Sequence, residues 1–204
     1  REEGFMLVRH RMTTNPATIG PHDTLATARE KMTTGKFRRL PVLQDGTLAG
    51  ILTDRDILRF VGSEERTRVD GAMTETPLTI SPTTPVEEAV RLMRTHQISG
   101  LPVVENGKVV GIITTSDILQ AFVEVSGVSV QGSIRVDILR TGKEGDLADA
   151  STVLSQIGGE VLGVGTYQDP WSEQPIFYLR VRGVESGVAS SALEKKGYTI
   201  LSVH

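Results

Sequence analysis

The sequence contains no cysteine among its 204 residues. Disulfides, thiol nucleophiles and thiolate metal sites are therefore excluded. Its 22 Lys and Arg nearly balance its 25 Asp and Glu, so the chain lacks the basic excess typical of proteins that bind nucleic acid. No apolar run approaches the roughly 20 residues of a membrane span, and no signal peptide is visible. We expect a soluble, cytoplasmic protein without nucleic acid or membrane partners.

Signals for catalysis are also scarce. The four histidines have no metal-ligand spacing, and they lie at His10, His22, His96 and His204. The sequence has no Gly-x-Ser-x-Gly motif, which would indicate a nucleophile elbow. We therefore predict no catalytic residues, no metal site and no catalytic cofactor.

The chain repeats itself at a constant offset of 61 residues without a gap, so that residues 8–58 align with residues 69–119. Chance does not keep many Pro, Gly and Asp matches in one register, so one structural unit occurs twice. Two copies favour a pair packed face to face, because an open solenoid needs three or more units. We place the first copy at residues 8–62 and the second at 69–124. Residues 1–5, which precede Met6, are set aside as a vector remnant or an upstream extension.

Each copy has the same predicted elements. An extended leading segment (residues 12–19 or 73–80) is followed by a helix, two short strands and a second helix that starts near Thr53 or Thr114. Helical spacing of apolar residues marks the first helix of each copy, at Leu25, Ala28 and Met32 and at Val86, Ala89, Val90 and Met93. The two strands flank Asp45-Gly46 or Asn106-Gly107, which are strong hairpin signals.

A different domain follows a small-residue stretch at 125–133, which is typical of a linker. Alternating Ile134, Val136 and Ile138 predict a strand. The pattern that follows predicts a helix, two strands, a helix and a last strand. The order is βαββαβ, the ferredoxin-like arrangement, over residues 133–204. The predicted fold class is thus α+β, with two paired repeats and a third domain.

Two segments of the form Gly-apolar-apolar-Thr-x-x-Asp lie at predicted strand-to-helix junctions, at residues 50–56 and 111–117. They allow two interpretations. Thr-x-x-Asp is close to a capping box, which would make these residues purely structural. Alternatively, the helix N-terminus binds a phosphate while the Asp accepts hydrogen bonds from the hydroxyls of a ribose.

The repeats resemble CBS (cystathionine β-synthase-type) domains, whose tandem pair, the Bateman module, forms two clefts. Three segments in each copy match the family pattern: the Gly-h-h-Thr-x-x-Asp motif, Leu-Pro-Val at 40–42 and 101–103, and Met-Thr-x-x-Pro-x-Thr-Ile at 12–19 and 73–80. The resemblance implies that an adenosine nucleotide (AMP, ADP or ATP) binds as a regulatory ligand. The motif Asp would hold the ribose, the motif Thr would lie near the ribose-phosphate, and backbone beside the leading Thr-Ile would contact adenine. The residues implied are Asp56, Asp117, Thr53, Thr114, Thr18, Ile19, Thr79 and Ile80.

The copies differ where Arg38-Arg39 of the first corresponds to Ser99-Gly100 of the second. These arginines are either part of a solvated basic surface or ligands that hold phosphates in a bidentate manner beside the cleft. Arg55 and Ser116 also differ within the two motifs. We expect the two clefts to be unequal.

Residues 133–204 resemble an ACT domain, and the order CBS–CBS–ACT resembles bacterial acetoin-utilisation regulators. The resemblance implies an amino acid bound at a dimer interface by the loop with Thr141, Gly142, Gly145 and Asp146. The alternative is that the glycines only turn the chain and Asp146 caps a helix.

Together these features predict a non-enzymatic regulatory protein that forms a homodimer. Its CBS clefts would sense an adenosine nucleotide and couple it to an ACT dimer in carbon metabolism. Two other interpretations stay open: a purely structural dimerisation module and, with less support, an enzyme that uses a cleft as its active site.

Overall fold

The structure is a computed structural model, and it describes residues 6–139, 146–169 and 174–204. The chain divides into two compact units, the first of which ends at Leu119 while the second begins at Gln120. Among the described residues, the first unit has two hydrophobic cores and the second unit has one.

The two copies fold alike, and corresponding elements begin 61 residues apart. The first copy contains β1 (Thr13–Thr14), α1 (Leu25–Gly35), β2 (Arg39–Gln44), β3 (Thr47–Thr53) and α2 (Asp54–Leu58). The second contains β4 (Thr74–Glu75), α3 (Val86–Thr95), β5 (Gly100–Glu105), β6 (Lys108–Thr114) and α4 (Thr115–Val125). Short 3-10 helices precede β1 and β4, at Val8–His10 and Val69–Gly71.

Each copy contributes one short strand to the sheet of the other copy. The two three-stranded sheets have the orders β2-β3-β4 and β1-β6-β5. Glycine makes this exchange possible, because a Cβ at Gly50 would lie 2.5 Å from the Met73 sulfur and 2.9 Å from the Thr74 carbonyl oxygen. Gly111 stands in the same relation to Met12. The motif glycines are therefore required where the leading segment of the other copy crosses.

The predicted hairpins are confirmed, and so are the predicted starts of the second helices, which begin directly after Thr53 and Thr114. Asp45-Gly46 and Asn106-Gly107 all have positive φ, as expected of the tight turns that match strand twist. The side chain of Thr24 accepts a hydrogen bond from the Thr27 amide and caps α1.

Helical spacing identified the buried face of α1 and α3, with one exception. Leu25, Ala28 and Met32 are buried in one core, while Val86, Ala89 and Met93 are buried in the other. Val90 was predicted to belong to this face, but it is 41% exposed, because the buried stripe of α3 is narrower than the apolar pattern.

The second unit has the predicted element order. It contains β7 (Ser133–Leu139), α5 (Asp146–Gln156), β8 (Glu160–Gln168), β9 (Pro175–Arg182), α6 (Ser186–Lys195) and β10 (Ile200–Val203). The strands form one antiparallel sheet in the order β10-β7-β9-β8. Val136, Ile138, Leu154, Leu179 and Leu193 are fully buried in its core.

The small-residue stretch before β7 packs against the sheet of the second unit. Ser126 is 6% exposed, and its carbonyl oxygen would lie 3.2 Å from a Cβ at Gly163 of β8. Gly127 has a positive φ, and a Cβ there would approach that of Leu162 to 3.0 Å. Small residues are thus needed here for close packing as well as for a turn.

Candidate functional site

Two clefts lie in the first unit, and each combines a Thr-x-x-Asp motif of one copy with the leading segment of the other. The Asp56 cleft, of about 520 Å³, is lined by Thr53 and Asp56 together with Thr76, Pro77 and Leu78. The Asp117 cleft, of about 310 Å³, is lined by Thr114 and Asp117 together with Pro16 and Ala17. The strand exchange described above produces this arrangement, because β4 lies beside β3 and β1 lies beside β6.

The motif Asp in the first copy caps its helix. The Asp56 Oδ2 accepts hydrogen bonds from the Thr53 amide at 2.9 Å and from the Thr53 Oγ1 at 2.6 Å. The Asp56 amide in turn donates to the Thr53 Oγ1 at 3.3 Å, which completes a capping box. The structural interpretation of the motif is therefore correct as far as it goes.

Capping nevertheless uses only one oxygen of each carboxylate. In the second copy, the Asp117 Oδ2 accepts from the Thr114 amide and from its Oγ1, both at 2.7 Å. Within the described part of the chain, the Oδ1 atoms of Asp56 and Asp117 accept no hydrogen bond. Both carboxylates are half-buried and line their clefts, so each can accept a hydrogen bond from a ligand without losing its cap.

The helix that follows the first motif is short. α2 has only five residues, whereas α4 has eleven. A single turn of helix supplies little macrodipole, so the predicted role of the helix N-terminus in holding phosphate has weak support in the Asp56 cleft. Positive charge in that cleft comes from arginine side chains.

Arg38 and Arg39 line both clefts. Arg38 is exposed, while Arg39 is half-buried and donates from Nη2 to the Ser99 Oγ at 2.7 Å. Burial and the neighbouring Arg38 lower the pKa of Arg39, although Asp54 and Asp117 oppose this shift. Since the reference value is far above neutral pH, Arg39 keeps its charge there.

The two clefts differ in charge as well as in volume. Arg55 and Arg59 line the Asp56 cleft, while their counterparts one repeat later are Ser116 and Gln120. Lys36 lines the Asp117 cleft and is absent from the lining of the other. Within the Thr-x-x-Asp motifs, the clefts therefore differ in charge at Arg55 and Ser116. They do not differ at Arg38 and Arg39, because this pair lines both clefts.

Four of the predicted site residues lie apart from the cleft walls, namely Thr18, Ile19, Thr79 and Ile80. Both isoleucine side chains are buried in the cores. Their backbone N–H and C=O groups are hydrogen-bonded to the neighbouring strands, Ile19 to Pro41 and Leu43 and Ile80 to Pro102 and Val104. The leading segments line the clefts through residues that come earlier in the sequence, namely Pro16, Ala17, Thr76, Pro77 and Leu78. Pro16 and Pro77 could have signalled this position of the segments. In the structure, each follows a residue of positive φ, Asn15 or Thr76.

The predicted loop of the second unit can be followed only in part. Thr141, Gly142 and Gly145 lie outside the described residues. Asp146 is the first residue of α5 and is 6% exposed, and its carbonyl oxygen accepts a hydrogen bond from the Tyr198 hydroxyl at 3.0 Å. Burial and the nearby Asp146 and Asp149 raise the pKa of Tyr198.

Sequence reasoning missed a polar cluster in the sheet of the second unit. The Arg135 Nε donates to the Asp137 Oδ1 at 2.8 Å, and the Ser202 hydroxyl donates to the Asp137 Oδ2 at 2.9 Å. The Arg135 guanidinium lies 4.6 Å from the ring centre of Tyr178 and 5.5 Å from that of Tyr167. Odd-numbered residues of β7 could have signalled it, because they alternate with the partly buried Ile134 and the buried Val136 and Ile138.

The described residues contain no group of three or more His, Asp or Glu side chains placed to hold a metal ion. Among the helices that the structure describes, none is long and apolar enough to cross a membrane.

The fold and the paired clefts are those of tandem CBS domains, a class of regulatory module. The model of the CBS domain family matches residues 8–63 and 69–124, which together make up more than half of the chain. The chain belongs to the CBS-domain family.

Relatives include a CBS domain-containing protein and an enzyme. A CBS domain-containing protein of Dictyostelium discoideum is 35% identical over 135 residues, which cover 59% of this chain and 93% of that protein. Inosine-5'-monophosphate dehydrogenase of Korarchaeum cryptofilum is 26% identical over 204 residues, which cover 86% of this chain but only 42% of the enzyme.

Three solved structures resemble the chain. A Vibrio cholerae protein assigned to acetoin utilization (AcuB) is 29% identical with a TM-score of 0.55, covering 59% of this chain and 92% of its own. CBSX2 in complex with AMP is 28% identical with a TM-score of 0.55, covering 60% and 98%. The CBS domain pair of protein MJ0100, in complex with 5'-methylthioadenosine and S-adenosyl-L-methionine, is 27% identical with a TM-score of 0.53, covering 58% and 97%.

Proposed function

We propose that this protein is a regulatory sensor that binds an adenosine nucleotide in its CBS clefts and couples binding to its C-terminal unit. One observation carries the proposal: each cleft places a half-buried Asp with a free Oδ1 beside the Arg38-Arg39 pair. A carboxylate oxygen suits ribose hydroxyls, and guanidinium groups suit phosphates. That related CBS pairs bind AMP, 5'-methylthioadenosine and S-adenosyl-L-methionine supports the choice of ligand.

Within each cleft the roles follow from chemistry. Asp56 or Asp117 accepts hydrogen bonds from ribose, Thr53 or Thr114 lies beside the ribose-phosphate, and Arg38 and Arg39 bind phosphate. Leu78 and Pro77 offer an apolar wall for adenine in the Asp56 cleft, as Ala17 and Pro16 do in the Asp117 cleft. These residues replace Thr18, Ile19, Thr79 and Ile80 in the proposed site. Such a sensor acts in the cytoplasm, where its nucleotides are.

The direct test is thermal unfolding with AMP, ADP, ATP and S-adenosylmethionine. Ligand at 100 times its dissociation constant stabilises the folded state by about 2.7 kcal/mol. For a chain of this size the melting temperature should rise by about 5–10 °C. No shift with any of the four ligands at millimolar concentration would favour a purely structural module, and turnover of a ligand would favour an enzyme.

We also propose that the second unit is an ACT-like domain. Its βαββαβ order and its sheet, with the first and third strands inside and the fourth and second outside, support this. The loop that ends at Asp146 would bind an amino acid, as in ligand-binding ACT domains. Unfolding measured with each of the common amino acids tests this, since a bound one should raise the melting temperature. A role in carbon or acetoin metabolism rests on the similarity to the Vibrio cholerae protein alone.

The proposed assembly is a homodimer. Leu58 and Val61 of the first copy, and their counterparts Leu119 and Phe122, are all at least 60% exposed. Apolar side chains exposed at equivalent positions fit a self-complementary contact with a second copy. Light scattering should give twice the chain mass, and Leu119→Glu should reduce it. Val90→Glu, on an exposed position of α3, serves as the matched control.

A further inference from the structure

Arg39 contacts its own counterpart in the other copy. Gly100 lies one repeat after Arg39, and a Cβ at Gly100 would clash with the Arg39 Nη1 and would lie 2.9 Å from its Cζ. Ser99, the counterpart of Arg38, accepts the hydrogen bond from Nη2. The Ser-Gly pair of the second copy therefore makes room for the Arg39 side chain. If both copies carried Arg at this position, two guanidinium groups would meet here. Because the second copy has Gly100, only the Arg39 guanidinium occupies this place.

This single guanidinium belongs to both clefts. Arg39 lines the Asp56 cleft together with Asp54 and Arg55, and it lines the Asp117 cleft together with Asp117. Arg38, its neighbour in sequence, also lines both but is exposed. A guanidinium that binds one phosphate in a bidentate manner is fixed in plane and direction. It cannot present the same donors to a second phosphate on its other side.

We propose that Arg39 is shared between the two clefts, so that an anionic ligand in one cleft weakens the binding of an anionic ligand in the other. This rests on the proposed function and adds a mode of regulation to it. A neutral adenine ligand such as adenosine does not compete for Arg39, so its binding to the two clefts is independent. The coupling is reciprocal, whichever cleft fills first. We expect it to be about tenfold for AMP, equivalent to about 1.4 kcal/mol.

Two matched variants isolate the clefts. Ala17 and Leu78 are equivalent residues, both are exposed, and each lines only one cleft. Ala17→Trp fills the Asp117 cleft, and Leu78→Trp fills the Asp56 cleft. If the melting temperature shows that either tryptophan variant is not folded, Ala17→Phe and Leu78→Phe replace the pair.

Calorimetric titration with AMP and with adenosine then gives the coupling. For independent clefts, the product of the two stepwise association constants of the wild type equals the product of the two single-cleft constants. For AMP we expect the wild-type product to be about tenfold smaller than the product of the two single-cleft constants, a difference that we call the deficit. For adenosine we expect the two products to be equal. Equality for AMP, or the same deficit for both ligands, would overturn the proposal. If the wild type bound neither ligand, the proposed function itself would fail, which is a different result.

Three further variants assign the coupling to Arg39. Arg39→Ala should weaken AMP binding in both single-cleft variants and abolish the deficit. Gly100→Ala keeps the charge but displaces the guanidinium, so it should also reduce the deficit. Arg59→Ala should weaken AMP in the Asp56 cleft alone and leave the deficit unchanged, because Arg59 lines only that cleft. An unchanged deficit in Arg39→Ala would contradict the assignment.

Discussion

Thr53 and Asp56 are joined by two hydrogen bonds that converge on one carboxylate oxygen, Oδ2 of Asp56. Thr114 and Asp117 repeat this geometry in the second copy. The cap needs only an acceptor at this position, because the Thr amide and hydroxyl both donate. A ribose hydroxyl would instead use the other oxygen and benefit from the negative charge. Capping and ligand binding can therefore be separated by substitution.

Asp56→Asn and Asp117→Asn keep an acceptor for the cap but remove the charge. We expect each variant to bind AMP about 10- to 150-fold more weakly at its own cleft, the loss that corresponds to about 1.5–3 kcal/mol for a hydrogen bond to a charged group. Unfolding without ligand should change by only about 1 kcal/mol. Titration calorimetry and apo melting measure the two effects. If both variants keep the wild-type affinity for AMP but lose stability, Asp56 and Asp117 act only as helix caps.

Gly50→Ala should destabilise the first unit, since its methyl group would meet the Met73 sulfur and the Thr74 carbonyl. Overpacking of this kind costs about 1–3 kcal/mol. Urea unfolding measures the change. Gly71→Ala is the matched control, because a Cβ there meets no atom within 4 Å and the residue is exposed. Equal effects of the two substitutions would contradict the crossing geometry.

Arg55→Ala should weaken AMP binding at the Asp56 cleft by about 2- to 5-fold, because an exposed charge partner contributes at most about 1 kcal/mol. Its counterpart variant, Ser116→Ala, removes no charge and should change binding at the Asp117 cleft by less than twofold. To compare them, AMP is titrated into Arg55→Ala combined with Ala17→Trp, and into Ser116→Ala combined with Leu78→Trp, so that only the cleft of interest is open. A larger effect for Ser116→Ala would reverse the assigned difference between the clefts.

Asp137→Ala should destabilise the second unit by about 1–3 kcal/mol, because it removes a nearly buried carboxylate that binds both Arg135 and Ser202. Glu160→Ala breaks the Arg182–Glu160 ion pair, in which both side chains are at least half exposed. Such surface pairs contribute about 0–1 kcal/mol, so this control should be nearly neutral. Thermal unfolding compares the two, and equal losses would argue against the cluster as a stabilising element.

Much of the fold could be predicted because its signals are local. Asp45-Gly46 and Asn106-Gly107 supply the positive φ that a tight hairpin needs, and Thr24 supplies a side-chain cap. Because the two copies align at an offset of 61 residues, each prediction for one copy also applied to the other. The exposure of Val90 shows the limit, because helical spacing alone does not say how wide the buried stripe is.

The composition of the clefts could not be predicted, because it depends on contacts between the copies. Sequence order places residues 12–19 next to their own copy, yet Pro16 and Ala17 line the cleft of the other copy's Asp117. Arg39 was interpreted as a feature that distinguishes one cleft, but the absence of a side chain at Gly100 lets it line both. Exchange of short strands between repeats leaves no local signal.

The most direct test of the account is AMP titration of the wild type beside the Asp56→Asn/Asp117→Asn double variant, followed by calorimetry. We predict that the wild type binds AMP and that the double variant binds it at least tenfold more weakly, with an apo melting temperature close to that of the wild type. Absence of AMP binding by the wild type at millimolar concentration, or equal affinity in the two proteins, would contradict the assignment of the two clefts as nucleotide sites.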